Sequence, residues 1–564
     1  LYVYQTTSRY RDVDHANLTL EEMKQTTCDM ELLDAQLTEM KELAAEAEAA
    51  GEAKDPERVK ELFGETLDEV EKLSTCYSLS QITYYQNIFD EENQEIQAEL
   101  LDDVMDYGDR LNVAIRELCK SPYQNTMTEL MNADQVEAYL EYEEMTDEEK
   151  ELTAKENSLE QEYEQLSSEE FYYEYDGEEW DLNRLNMEAD EMDHDAVVEI
   201  YQGICKQRND AVGEVFVELV DVRNEIAKLN GYDNYAEYAY DAVYVRDYTL
   251  NETRDLLKEI RKHVVPVMAD MKDVLNDTDY MRLYSEGQGI ESTSIIEQIG
   301  PYLEEIDPEL KDTQEHFLKY RLYDMDTSQN KANTAFTMRL SYFKDGFIYG
   351  QMYDNYMDYY NVIHEFGHYN NVYRSADTFF ESSNNIDVSE IHSQGMQMLF
   401  YDYYDELLGE DIGDIYAFYD VYSMADNAIS TALISEFEIA AYENPDMTLE
   451  ELNKLYLQLS RRYGMQYDSK IKELYTWSEV PHIFTSPCYY FSYLTSAFSS
   501  LDILTMAEED RHEAVETYMT LTTIPGYVPY CSAVEYAGLR DIFDDGVAQD
   551  IIEETASILG VKGY

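Results

Sequence analysis

Apolar residues recur at steps of three and four along most of this chain, the spacing that lines one face of an α-helix. Val59, Leu62, Phe63, Leu67, Val70 and Leu73 make one such stripe. Asp55-Pro56-Glu57 just ahead of it is a helix start, with proline at the first helical position, where an N–H is not needed. Thr19 with Glu22, and Thr146 with Glu149, have the spacing of a capping box. The pattern predicts helix from 19 to about 50, and further helices through 100–119, 255–274 and 294–323. With only 22 Gly and 10 Pro as punctuation, the first two hundred residues read as antiparallel helices. The segment 141–179 is richest in Glu and Tyr. A helix pair is expected there, because Tyr163, Phe171, Tyr172 and Tyr175 need somewhere to pack. A boundary near residue 205 is expected to divide an N-terminal helical domain, 1–205, from a second domain, 206–564.

Between 332 and 350 the pattern changes. Thr334-Ala335-Phe336-Thr337 and Phe347-Ile348-Tyr349 predict short strands around a turn at Lys344-Asp345-Gly346. An edge strand of such a sheet can pair with a peptide's backbone, which makes Phe347 and Tyr349 candidate substrate contacts. A purely structural hairpin is equally compatible. The expected fold is mainly α, with a small β-sheet.

Composition adds a constraint on partners. Forty basic against 121 acidic residues give a net charge of −81. An acidic disordered chain would be poor in aromatics, yet this one has 53 Tyr and 18 Phe. The acidity therefore coats a folded body. Such a surface repels nucleic acid and anionic membranes, and a well-solvated exterior is its simplest account. No apolar run of about 18 residues predicts a membrane-spanning helix. The opening residues 1–11 are polar and aromatic rather than signal-like. A leader removed or trimmed before Leu1 is the expectation, which favours an extracytoplasmic over a cytoplasmic location. Nothing in the sequence specifies an oligomeric state. The six cysteines (Cys28, Cys76, Cys119, Cys205, Cys488, Cys531) include no C-x-x-C pair, so a cysteine zinc knuckle is excluded and free buried thiols are expected.

The chemistry is concentrated in His364-Glu365-Phe366-Gly367-His368. Helical positions i and i+4 share a face, so His364 and His368 can hold one metal ion. Glu365 lies about 100° further round, within reach of a water on that ion. Zinc peptidases use this H-E-x-x-H arrangement: the metal acidifies the water and the glutamate takes its proton. The helical pattern extends back through Tyr356, Tyr360 and Ile363. A longer three-histidine form of the motif would need Gly at 371 and His at 374, where the chain has Asn371 and Arg374. The third ligand should then be a downstream carboxylate on another helix. Glu390 follows past the Ser/Asn-rich stretch 382–385. His392 is its rival, but two positions on it faces another side of the helix, so the pair do not bind one ion together. His392 is read as structural or as a neighbour of the ligands.

Together these residues resemble the thimet oligopeptidase and oligoendopeptidase F family of zinc metallopeptidases. That family has H-E-[FL]-G-H, then a ligand glutamate opening an E-x-x-S segment, as in Glu390-Ile391-His392-Ser393 here. A second block is similar as well. Trp477-Ser478-Glu479-Val480-Pro481-His482-Ile483-Phe484, then Tyr489-Tyr490-Phe491-Ser492-Tyr493-Leu494-Thr495, follows the pattern W-x-x-[IV]-P-H-F-Y and Y-x-Y-x-Y-A-T. The match runs from about 332 to 493 and loosely from 205 to the end. The resemblance implies a mainly α, two-lobed peptidase with a deep central channel, acting on short peptides. It implies one Zn2+ per chain on His364, His368 and Glu390, with Glu365 as general base. His482 and Tyr493 would face the cleft and stabilise the oxyanion, and Tyr489 and Tyr490 are candidate substrate contacts. A tyrosine hydroxyl suits that task, because attack on a peptide carbonyl builds negative charge on oxygen.

There are departures from the family pattern. Gln397 stands seven residues after the ligand glutamate, where much of the family has Glu. An amide can still accept from an imidazole N–H but raises its basicity less. Phe491 replaces the middle tyrosine of the block, Tyr490 is extra, and His392 stands where relatives have a small residue or proline. Two other functions compete with an endopeptidase. One is a dipeptidyl carboxypeptidase-like exopeptidase, which needs a cationic pocket that Arg461, Arg462 or Lys470 would have to supply. The other is a weakly active envelope peptide-binding protein.

Overall fold

The computed structural model describes residues 13–131, 133–141, 145–274, 277–287, 289–375, 385–467 and 469–564. Its helices start where the sequence supplies caps. Met30–Ala50 (α1) begins at Asp29 and stops at Gly51, whose φ of 70° closes the helix in a left-handed turn. Pro56–Gln86 (α2) starts as expected, with the Asp55 side chain accepting from the Arg58 N–H. Glu91–Lys120 (α3) follows. The Thr19 box is present too, although its helix runs only over Leu20–Met23. The short connections 51–55 and 87–90 make α1, α2 and α3 antiparallel neighbours. Their apolar stripes meet in a separate core of Leu33, Leu37, Leu62, Phe63, Leu111 and Ile115. Each such side chain contributes about 1.5–3 kcal/mol on burial.

One expectation about the next part is corrected. From 145 onward the stretch is one helix, Asp147–Ser167 (α4), capped by Thr146 and Glu149, and then a hairpin. Tyr173–Tyr175 (β1) pairs antiparallel with Glu178–Trp180 (β2). Asp176 and Gly177 turn between them with φ of 51° and 80°, the left-handed pair that a two-residue hairpin needs. Phe171, Tyr173 and Tyr175 pack on Trp180, Leu185, Ile200 and Ile204. The division expected at 205 falls inside a continuous helix, His194–Leu229 (α5). The α1–α3 core and the smaller one around Trp180 are packed separately, while one large core extends from Leu20 to Val561.

The predicted strands form a three-stranded sheet. Tyr323–Asp324 (β3) runs parallel to Asp345–Gly350 (β5), and Ala335–Leu340 (β4) antiparallel to it, in the order β3-β5-β4. Phe336 faces Tyr349 and Met338 faces Phe347 across the ladder. Since β5 is the middle strand, Phe347 and Tyr349 are core residues, 1% and 0% exposed, and not substrate contacts. The Tyr349 hydroxyl donates to the carbonyls of Tyr85 and Ala332 at 2.7 and 3.0 Å. The edges are the two-residue β3 and the longer β4. β5 leads to Met357–Arg374 (α6), which packs against both strands. Ile386–Phe400 (α7) packs against α6, and Phe491–Glu509 (α9) packs against both α7 and Glu410–Glu443 (α8).

A buried guanidinium braces this region. Arg246 donates to both oxygens of Asp387 at 3.2 and 3.3 Å, to the Cys488 carbonyl at 3.1 Å and to Ser492 Oγ at 2.9 Å. The Tyr248 hydroxyl and Ser492 Oγ also donate to Asp387. Asp387 opens α7 and Ser492 opens α9, so one cation ties the two helices together. Among the described residues, no helix is long and apolar enough to cross a membrane. All six cysteines are free thiols, with Cys119, Cys205 and Cys488 buried.

Candidate metal centre

α6 presents His364 and His368 one turn apart, and α7 brings Glu390 across from them. Nε2 of His364 and Nε2 of His368 each lie 3.3 Å from Glu390 Oε2. Zinc bonds of about 2.0–2.1 Å at tetrahedral angles place ligand atoms about 3.3 Å apart, so the donor set fits that ion. Among the described residues this is the one group of three or more His, Cys, Asp or Glu side chains spaced to hold a metal. Three protein ligands is also the pattern that leaves a coordination position for water. Burial disfavours charge at both His364 and Glu390. Even so, the hydrogen bond and charge of Glu390 hold His364 up at about 9, and the two imidazoles hold Glu390 well below the carboxylate range. One carboxylate between two imidazoles is a donor set suited to a metal cation.

Gly367 explains how the two helices come so close. A Cβ there would lie 2.4 Å from the His392 carbonyl oxygen and 2.7 Å from Ser393 Cα. The backbones of α6 and α7 touch at this residue, and only glycine lets them.

Glu365 is buried beside the ligands and outside the ligand group. Thr337 of β4 donates its hydroxyl to Glu365 Oε2 at 2.8 Å and to the Glu365 carbonyl at 2.9 Å. The edge strand therefore aims this carboxylate.

Behind His364 stands Gln397, with Oε1 2.9 Å from His364 Nδ1. Gln397 Nε2 donates to Asp420 Oδ1 at 2.5 Å, and Asp420 Oδ2 accepts from the Tyr404 hydroxyl at 2.9 Å. The carboxylate fixes which end of the amide faces the histidine. Oxygen toward Nδ1 requires a proton there, which frees Nε2 for a metal. Asp420 is fully enclosed, and burial pushes its carboxyl up to about 6. The departure at Gln397 is thus a relay that sets a carboxylate one residue further back. Replacing Gln397 by Leu breaks the relay at its middle. Zinc affinity is expected to fall about 10–100-fold, read by competition with a chromophoric chelator. Unchanged affinity would make Gln397 a packing residue.

The second sequence block comes together as one cluster. The His482 ring lies 5.5, 5.0 and 6.1 Å from the rings of Tyr489, Tyr490 and Tyr493. Tyr493 packs edge-on against Tyr489 and Tyr490 at 5.5 and 5.4 Å. Burial first, and the Glu390 charge among the other causes, push the pKa of both Tyr489 and Tyr493 above the ordinary phenol value, which keeps these hydroxyls protonated. The loop that carries them is pinned from several sides. Arg223 donates to the Ile483 and Phe484 carbonyls, and the Tyr244 hydroxyl donates to the Pro487 carbonyl at 2.8 Å. Cys488 sits at φ 63°, a left-handed conformation of order 1 kcal/mol or more above ordinary backbone for a non-glycine residue. Its N–H donates to Glu438 Oε1 at 2.9 Å and its carbonyl accepts from Arg246. Phe491 faces away, buried among Tyr240, Tyr248 and Phe543, where a hydroxyl would need a partner.

His392 stands outside the ligand group. It is buried, its Nδ1 has no partner, and burial with the charges of His368 and Arg339 draws it down to about 3. Arg461 and Arg462 are exposed at the end of helix Leu449–Arg462, where Arg461 donates to the Ile471 carbonyl. The turn expected at 382–385 lies, apart from Asn385, outside the described residues. Sequence reasoning missed Thr337, Tyr404 and Asp420. Tyr360, which the sequence places only on the helical stripe, stacks its ring on His364 at 5.4 Å and 23°. Only Tyr360 carried a local signal, four residues before the first histidine.

No protein-family model and no curated protein matches this chain. Solved structures do. PZ peptidase A with an inhibitor superposes with a TM-score of 0.73 at 22% identity, over 94% of this chain and 97% of that one. A protein assigned as an oligoendopeptidase F gives 0.73 at 22% identity, over 97% and 99%. Oligoendopeptidase-F from Enterococcus faecium gives 0.56 at 14% identity, over 94% and 98%. The chain therefore has, over nearly its whole length, the fold of the oligoendopeptidase F structures.

Proposed function

We propose that this protein is a zinc-dependent endopeptidase that hydrolyses short peptides. The observation that carries the reading is the 3.3 Å spacing of the two imidazoles about Glu390, with Glu365 beside them and outside the ligand set. His364, His368 and Glu390 would hold the zinc ion, which when bound acidifies a water and polarises the scissile carbonyl. The remaining work falls to side chains. Glu365, aimed by Thr337, takes the water's proton and passes it to the leaving amine. Tyr493, kept protonated, donates its hydroxyl to the oxygen on which charge develops, with His482 next to it in the same cluster. The edge of β4 offers main-chain pairing to an extended peptide. Restriction to short peptides rests on the shared fold with proteins named oligoendopeptidases.

The test uses ten-residue peptides with free and with amidated C-termini, followed by product masses. The zinc-loaded chain should cut both internally, lose that activity to a chelator and regain it with zinc. No cleavage by the loaded chain would overturn the proposal. Dipeptides released only from free C-termini would replace it with the exopeptidase.

A further inference from the structure

A cavity of about 270 Å³ adjoins the metal centre between α6, α7 and α8, lined by Met357, Tyr360, Gln394, Asp420, Met424 and Asn427 among others. Tyr360 is the shared wall. Its ring stacks on His364, 5.4 Å away between centroids. The cavity is therefore adjacent to the place where a peptide would be cut. For scale, a cavity of about 150 Å³ accepts benzene, so this one has room for a long side chain.

Its chemistry is one-sided. The two methionines supply apolar, adaptable walls. The polar wall includes the Asp420 carboxylate and Gln394 Oε1, which is buried and has no hydrogen-bond partner. No lysine or arginine is among the described residues lining the cavity. A buried acceptor without a donor costs about 1–3 kcal/mol, and Asp420, although its oxygens already accept from the Gln397 amide and the Tyr404 hydroxyl, adds negative charge to the same wall.

We propose that this cavity is a subsite for a lysine or arginine side chain of the peptide substrate, at one fixed position beside the scissile bond. The methylenes would lie between Met357 and Met424, and the cationic head would meet Gln394 Oε1, with the charge of Asp420 behind it. The inference rests on the peptidase reading for the identity of its ligand as a peptide.

The experiment measures binding and cleavage separately. Alanine-rich octapeptides carry lysine, or its uncharged isostere norleucine, at each position in turn. Their affinity for the zinc-loaded Glu365→Gln chain is read by fluorescence anisotropy at low and high salt. A charge-assisted hydrogen bond of about 1.5–3 kcal/mol corresponds to roughly 10–100-fold. One position should therefore favour lysine by about tenfold or more, and the advantage should persist at high salt. Asn427→Lys places a cation at the exposed rim and should cancel that advantage. Gln394→Met, which keeps the shape and removes the acceptor, should weaken it.

The proposal is overturned if no position favours lysine, or if Asn427→Lys leaves the preference intact. It is equally overturned if every position favours lysine alike and salt abolishes the effect, since that is steering by the net charge of −81. Failure of the peptidase reading looks different: the wild-type chain would show the position-specific preference and cut nothing. Failure of the subsite alone would leave a chain that cuts lysine and norleucine peptides equally.

Discussion

Glu365→Gln is expected to lower kcat/KM on a quenched peptide by about 10²–10⁴-fold, the contribution of general acid–base catalysis, while the chain still binds one zinc ion. The amide keeps the shape of the carboxylate and can still accept from the Thr337 hydroxyl, which lies 2.8 Å from Glu365 Oε2. What it loses is the ability to take a proton. Glu365 is outside the three-residue ligand group, so zinc content should not change. Near-normal hydrolysis would sink the mechanism. Loss of the metal would recast Glu365 as a ligand.

Gly367→Ala is expected to damage the centre without touching a ligand. The new methyl would lie 2.4 Å from the His392 carbonyl oxygen and 2.7 Å from Ser393 Cα. Both obstacles are backbone, so no side-chain rotation relieves the contact and α6 must move off α7. Overpacking of this kind costs about 1–3 kcal/mol. The effect on the metal is larger, because ligand distances tolerate only about 0.2 Å and the three donors come from the two helices being separated. Zinc affinity should fall by at least about 10–100-fold, the loss associated with removing support from a ligand. Activity should fall with it. Chelator competition and a urea midpoint would be measured on the same preparation. Wild-type zinc affinity in the alanine variant would show that the helices do not meet at residue 367.

How far such a site is legible in advance depends on how local its signals are. His364, Glu365 and His368 lie within two turns of one helix, and Glu390 opens into the next, so motif and spacing were enough to nominate all four. Capping residues are equally local, and Asp55 and Thr146 start the helices expected of them. The hairpin at Asp176-Gly177 had a local signal as well, but the surrounding Glu and Tyr residues outweighed it. Phe347 and Tyr349 show a different failure. Their strand was recognised, but whether it lies at the edge or the middle depends on β3, a two-residue strand with no pattern of its own. Asp420 had no signal at all: it is one acidic residue among 121, and its role depends on a side-chain contact from another helix.

The Arg246 brace has a thermodynamic consequence. Asp387 stands three residues before Glu390, and Ser492 immediately precedes Tyr493. The guanidinium that holds both also holds the Cys488 carbonyl, next to Tyr489. Glu390 and Tyr493, the proposed metal ligand and oxyanion donor, therefore share one rigid part, and perturbations on the two sides should not add independently. Linkage makes the relation mutual: if filling the metal site steadies the tyrosine loop, a peptide gripped by that loop tightens the metal by the same factor. On the proposed reading, metal retention would depend on the substrate-bound state as well as on three ligands.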